Sequence, residues 1–411
     1  MSALSTPLLS DEDVVRPAGV GLTAATLSLV KTCIGTGVMA LPYAFTQAGS
    51  FAVPGMLLLG VWNFYTCHQL LRARAALPPK VQSARSAYSA VVEAALGNVG
   101  VLILEGSLCV SLVLVCASLQ VQTAQLVAAP SGFEYTTCVL GAGIALVPLV
   151  LVRSLACVAF VAVSGLVALG VGLLAVAAHG LTRYSLHWPP PSSLVELPAP
   201  HNFAIFFGIA SFSFGLQMTL LPVQDGMRRP SHATNACGYA LCIVVTSYLV
   251  IGLLLAWLYS SDQDGVQQLI LLNLERSSLI AAVVQYTSAL VALLSYPLPL
   301  LPLIELLSSL VCGACAPSFT RDAALRLTTL LSTTLIAQRL PQFGIAAGLA
   351  GCLCIVSTQL LPPLCHLRLC SWPSEGSWPS ALLDVLLFFA GLVVFCHFTM
   401  EVALELVTGD E

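Results

Sequence analysis

The chain has 411 residues, of which 58% are hydrophobic and only 8% charged, and its formal net charge is −4. A soluble domain carries about 25% charged residues, so a water-soluble globular protein is excluded and the bilayer must solvate much of the surface. The small net charge points to no nucleic-acid partner. The 15 cysteines are scattered, mostly inside apolar runs where they act as small apolar side chains. Cys312 and Cys315 form a lone C-x-x-C with no second pair at zinc-finger spacing, so no metal site is expected. Asp11, Glu12 and Asp13 make the N-terminus acidic, so no cleavable signal peptide is expected.

A spanning helix needs about 20 mostly apolar residues. About eleven segments qualify: 20–46, 51–73, 99–129, 134–152, 155–178, 202–222, 237–259, 277–311, 323–340, 343–363 and 381–403. In lipid each must be a helix, because only a helix satisfies its backbone internally. The first segment centres on Gly35-Thr36-Gly37, with Pro42 beyond. Each glycine weakens a helix by about 1 kcal/mol, so a break is expected here, with Lys31 just before it. The connection after segment two contains an amphipathic stretch, Ser86 to Leu96, placed along the membrane surface or under the bundle. Segment three is longer than the bilayer is thick and carries Glu105. The connection 178–201 is Pro-rich from Trp188 to Pro191 and holds His179, His187 and His201.

Segment six carries Ser211-Phe212-Ser213-Phe214-Gly215 near its middle and Pro222 near its end. Segments one and six thus share a Gly/Ser-rich centre followed by proline, five segments apart. Five is odd, so two five-helix units would cross the bilayer in opposite senses. Paired interrupted helices at corresponding positions of inverted repeats point to a transporter site. Segment eight, also longer than the bilayer, carries the hydroxyls Thr287, Ser288 and Ser295, a possible sodium site, and Glu305 near its end. Asp384, at the start of the last segment, reads as a solvated end residue.

Charge in the connections sets the orientation. With the N-terminus in the cytosol, eleven Lys and Arg residues, among them Arg72, Arg74, Arg228 and Arg368, lie inside. Arg183, Arg276 and Arg339 lie outside, and Lys31 is within a segment. Buried charge is a functional expectation by default. Lys31 and Glu105 are expected at similar depth, as a coupling or gating pair, with Glu305 as a further vestibule carboxylate.

Four segments resemble the amino acid/auxin permease family, the transmembrane amino acid transporters. Segment one has Gly35, Gly37, Leu41, Pro42, Ala44 and Gly49; segment six has Phe214, Gly215, Pro222, Met227 and Pro230. Segment eight has Tyr296-Pro297-Leu298, Pro302 and Glu305, and segment ten has Pro341, Gly344, Gly351 and Leu361-Pro362. The resemblance is nearest the proton-coupled and vacuolar or lysosomal members. It implies an all-α membrane fold of five-plus-five inverted repeats with broken helices one and six and an eleventh helix appended.

The implied organisation is a cytosolic tail (1–19), a core (20–363, with repeats of about 20–178 and 202–363), a cytosolic connection (364–380), the eleventh helix (381–403) and an outer or luminal tail (404–411). The implied activity is secondary transport of amino acids, coupled to protons or, alternatively, to sodium. An amino acid sensor with the same fold is a further alternative. Amides around Gly35, Thr36 and Gly37 would hold the substrate carboxylate. Carbonyls near Cys33, Ile34 and Ser211 to Ser213 would hold its ammonium, and Phe212 and Phe214 would line or gate the pocket. No cofactor and no enzymatic chemistry are expected. Leu8-Leu9 in the tail is a weak vacuolar or lysosomal sorting motif, and the plasma membrane is the other location considered.

Overall fold

The structure is a computed structural model that describes residues 19–77, 86–151, 155–184, 194–262, 264–275, 278–312, 319–371 and 378–408. Leu8-Leu9, His187, Trp188 to Pro191 and Cys315 lie outside the described residues. Every predicted apolar segment is occupied by helix, and no sheet forms among the described residues. Segment one is α1 (Leu22–Cys33), a 3-10 turn (Thr36–Ala40) and α2 (Leu41–Ala48); segment two is α3 (Ala52–Ala75). Then come α4 (Ala87–Ser131), α5 (Tyr135–Leu151) and α6 (Leu155–Arg183). Segment six is α7 (Pro200–Phe212) and α8 (Gln217–Gly226), followed by α9 (Ala233–Tyr259). Segment eight divides at Tyr296 into α10 (Leu279–Ser295) and α11 (Pro297–Cys312), and α12 (Phe319–Arg339) follows. Segment ten is α13 (Phe343–Ile355), a π-turn (Val356–Leu360), α14 (Leu361–His366) and a second π-turn (Leu367–Ser371); α15 (Trp378–Thr408) comes last.

Eight stretches among the described residues are long and apolar enough to cross a membrane unaided. α12 is not among them. α12 is rich in threonine, and Thr328, Thr329 and Thr334 return their hydroxyl protons to carbonyls one turn back. Its Arg326 is neutralised by Asp322 at 3.0 Å and donates to Val150 O. Large apolar side chains such as Val61, Ile144, Leu174 and Val393 lie exposed on the outer helices, as a lipid-facing belt requires.

The amphipathic stretch forms the first turns of α4, capped by Ser86, whose side chain accepts from Ser89 N. It packs under the bundle: Tyr88 through Val92 are buried. Gly97, at φ +68°, turns the chain from this foot into the spanning part, a backbone angle that glycine alone adopts without strain. The bend lies just before segment three, which runs on as helix to Ser131.

Two helices of the core meet backbone to backbone. A Cβ on Gly351 of α13 would lie 1.9 Å from Gly208 O of α7, and one on Gly208 would lie 2.9 Å from Gly348 Cα. Small residues that let backbones touch are how helices associate where lipid removes the hydrophobic drive.

Asp384 departs from the sequence reading. It is 1% exposed, accepts from Gln69 of α3, and lies 2.8 Å from His366 Nδ1 at the end of α14. Hydropathy places Asp384 at a helix end, and helix ends are usually wet. Here α3, α14 and α15 pack around it.

Candidate functional site

Both predicted breaks are present, and they touch. α1 stops at Cys33, Gly35 is extended at φ −143° and ψ −155°, and the 3-10 turn starts at Thr36. The first bond of that turn runs from Val38 N to Gly35 O at 3.2 Å. The amides of Thr36 and Gly37 precede it and have no acceptor within the helix, leaving a positive end. In segment six, Ser213 N caps α7 onto Ala210 O at 3.0 Å, Leu216 N closes a tight turn onto Phe214 O at 2.7 Å, and α8 restarts at Gln217.

A Cβ on Gly37 would meet Ser213 Oγ at 2.6 Å and Phe212 Cδ1 at 2.9 Å, so the breaks abut there. A Cβ on Gly35 would meet nothing within 4 Å. Neither glycine has a positive φ. Their shared role is therefore not unusual backbone angles. Gly37 permits close approach to segment six, and Gly35 leaves its amide beside open space.

Tyr248 of α9 joins the two breaks. Its hydroxyl lies 2.7 Å from Cys33 O and 2.8 Å from Ser213 O, and the residue is fully buried. Its ring packs edge-on to Phe214, with centroids 5.4 Å apart. A phenol has one proton, so it can fully satisfy only one of the two carbonyls. Carbonyls freed by both breaks thus converge on one point, where a second donor or a cation would be stabilised. Nothing in the sequence singled out this tyrosine, since a lone Tyr in an apolar helix reads as core packing.

The remaining predicted residues divide. Cys33, Ser211, Ser213 and Phe214 are buried at the breaks, and Ser211 Oγ has no hydrogen-bond partner. Ile34, Gly35, Thr36 and Phe212 are half-buried. Lys31 is exposed on the last turn of α1 while Glu105 is buried on α4, and among the described residues they form no ion pair. Glu305 is exposed on α11. The three hydroxyls of segment eight do not converge. Thr287 is exposed and donates to Val283 O, and Ser295 donates to Val291 O. Ser288 faces α6, where a Cβ on Gly172 would lie 3.5 Å from its oxygen. His179 bonds Tyr259 at 2.9 Å, and His201 lies 3.8 Å from Glu401, so these two histidines have separate partners. Among the described residues no cluster of three or more metal-ligating side chains occurs.

Gln217 follows the second break, fully buried. Its Nε2 lies 3.0 Å from Asn63 Oδ1, 3.0 Å from Thr66 Oγ1 and 3.4 Å from Thr358 O of the π-turn. The ends of the two broken helices are also zipped together. Val20 N donates to Gly226 O at 2.9 Å, and Arg228 N donates to Val20 O at 2.8 Å. At the opposite end a cavity of about 390 Å³ opens among Thr46, Gln47, Glu196, Asn202, Ser260 and Gly265. This cavity is not at the breaks. Along α2 and α7, Phe45 and Phe206 lie between the two, packed edge to face at 6.2 Å. The cavity, called the vestibule below, is thus separated from the breaks by these rings.

Several relatives carry transport names. Over 408 residues the chain is 26% identical to vacuolar amino acid transporter 3 of Saccharomyces cerevisiae, covering 96% of this chain and 58% of that protein. It is 22% identical to amino acid transporter AVT1D of Arabidopsis thaliana, covering 94% and 70%. Over 206 residues it is 31% identical to the human vesicular inhibitory amino acid transporter, covering 46% and 37%. The chain spans less than two thirds of the yeast relative's length. The fold resembles that of a Na+-coupled sialic acid symporter in a substrate-bound outward-open state, with a TM-score of 0.54 at 14% identity, covering 97% and 92%. That likeness shows the fold alone: inverted five-helix repeats with helices one and six broken. The family expected from the motifs of segments one, six, eight and ten is also the family found. Matched over residues 19–403 by the profile described as transmembrane amino acid transporter protein, the chain belongs to that family.

Proposed function

We propose that the chain is a secondary transporter that carries amino acids across a vacuolar-type membrane, driven by protons. The observation that carries this reading is the pairing of opposite dipolar groups at the breaks. The unbonded amides of Thr36 and Gly37 beside Gly35 fit a carboxylate, because a half-helix N-terminus favours negative charge. A few residues away, the carbonyls of Cys33 and Ser213 converge on a single donor and fit an ammonium. An α-amino acid carries both charges on one carbon. Phe212 and Phe214 would face its side chain.

Proton coupling is favoured over sodium coupling by the scatter of Thr287, Ser288 and Ser295. A sodium ion needs several oxygens on one point, whereas Thr287 is exposed and Ser288 and Ser295 lie two helical turns apart, against Gly172 and Gly165 of α6. The vacuolar location follows the names of the yeast relatives, and the basic residues argue for a cytosolic N-terminus. The test is uptake of radiolabelled amino acids into proteoliposomes under imposed gradients. Accumulation with a proton gradient and indifference to sodium is expected. Accumulation driven by sodium at constant pH would replace this reading with the sodium symporter. Specific binding without accumulation under either gradient would replace it with a sensor.

A further inference from the structure

We infer that His366 and Asp384 form the proton-binding site of this transporter, joined to the break in segment six by a buried polar stripe on α3. The inference rests on the proton-coupled reading above and assigns a place to the proton. Lys31 and Glu105, the pair singled out in the sequence, do not meet.

The pair is built for reversible protonation. His366 Nδ1 lies 2.8 Å from Asp384 Oδ2, and the two side chains are 6% and 0% exposed. Gln69 Nε2 donates to the other carboxylate oxygen. An imidazole that donates Nδ1–H to a carboxylate presents its Nε2 lone pair as the acceptor for an incoming proton. Asp384 then carries the countercharge of the imidazolium, so loading makes a hydrogen-bonded ion pair instead of a bare buried cation. Unloading returns the proton from Nε2 and leaves the Nδ1–H bond in place. Among the described residues, the titratable and charged groups near the pair include Tyr65, His68 and Arg72 of α3 and Cys370 of the second π-turn, and from α4 the Tyr88 hydroxyl bonds Ser357 O.

The route to the substrate site is a stripe. Asn63, Thr66 and Gln69 recur every third residue on one face of α3, and all are 0–1% exposed. Gln69 holds Asp384 at one end. Asn63 and Thr66 hold Gln217 at the other, directly after the break. The Gln217 amide has two hydrogens for three acceptors, Asn63 Oδ1, Thr66 Oγ1 and Thr358 O. The network therefore has more than one bonding arrangement, and buried Gln69 Oε1 and Gln217 Oε1 have no partner in this one. Thr358 lies in one π-turn and His366 ends the helix between the two, a local irregularity frequent at functional sites.

The experiment compares wild type, Asp384→Asn, His366→Gln and the double variant in proteoliposomes. Two assays are used, uphill uptake driven by a proton gradient and gradient-free exchange of internal for external amino acid. The amide replacements preserve hydrogen bonding between the helices and remove the titration. The expected result is loss of proton-driven accumulation and a flat pH profile, with exchange retained, while Glu105→Gln keeps the wild-type pH profile. A wild type indifferent to protons overturns the proton-coupled reading and this inference with it. A proton-driven wild type with unchanged variants overturns this inference alone. So does loss of exchange in step with accumulation, or a flat profile in Glu105→Gln only. Failure of the double variant to fold, although it buries no unpaired charge, makes the pair a structural clamp and also overturns the inference.

Discussion

Tyr248 places a single proton between two buried carbonyls, and this sets what its loss should do. Tyr248→Phe leaves Cys33 O and Ser213 O buried without a donor, at a cost of about 1–3 kcal/mol for the unsatisfied group. If the substrate ammonium binds there, it supplies the missing donors. Substrate should therefore raise the melting temperature of Tyr248→Phe by more than it raises that of the wild type. An equal or smaller rise in the variant would place the ammonium elsewhere. The two glycines of the first break separate by the same logic. Gly35→Val puts its side chain into open space and should leave a folded protein that no longer binds amino acid. Gly37→Val drives into Ser213 and Phe212 and should lower thermal stability as well, because overpacking costs about 1–3 kcal/mol. Thermal melts with and without substrate compare the two. Wild-type stabilisation by substrate in Gly35→Val would move the carboxylate away from this half-helix.

At the scale of elements, α7 and α13 meet backbone to backbone. Gly351→Ala places a methyl 1.9 Å from Gly208 O, where only backbone can move. The variant should fail to accumulate as folded protein, whereas Gly348→Ala, whose Cβ meets nothing within 4 Å, should express as wild type. Size-exclusion profiles of the two decide it, and a monodisperse Gly351→Ala would mean that the helices separate readily. Element positions and the two breaks were legible in the sequence because a 20-residue apolar run in lipid has no alternative to helix, and Gly/Ser-rich centres mark where that rule fails. What joins the elements was not legible. Tyr248, Gln217 and the Asn63, Thr66 and Gln69 face lie in helices whose polar residues look incidental until the partner helix is placed. Asp384 was misread because burial at a helix end depends on which helices pack around that end, and hydropathy carries no information about packing.

For the whole molecule, the remaining question is which end faces which compartment. The end where Val20 bonds Gly226 and Arg228 also carries Arg72, Arg74, Arg228 and Arg229, and Arg74 is paired with Asp225 at 3.0 Å. The vestibule end holds Glu196, Asp262 and Glu275, with Arg183 neutralised by Glu275 at 2.9 Å. Positive residues near short connections stay on the cytosolic side during insertion, so the zipped end should be cytosolic and the vestibule luminal. In that frame the His366–Asp384 pair lies toward the cytosol, and a proton entering from an acidic lumen must pass the breaks before it reaches the pair. Leu197, 87% exposed beside the vestibule, is the place to test this. An N-glycosylation acceptor inserted next to Leu197 should be glycosylated in microsomes, whereas one inserted at the N-terminus should not. The reverse pattern would invert the molecule and put the zipped ends of α1 and α8 on the luminal side. Release of a proton-loaded substrate to the cytosol would then have to occur through the vestibule.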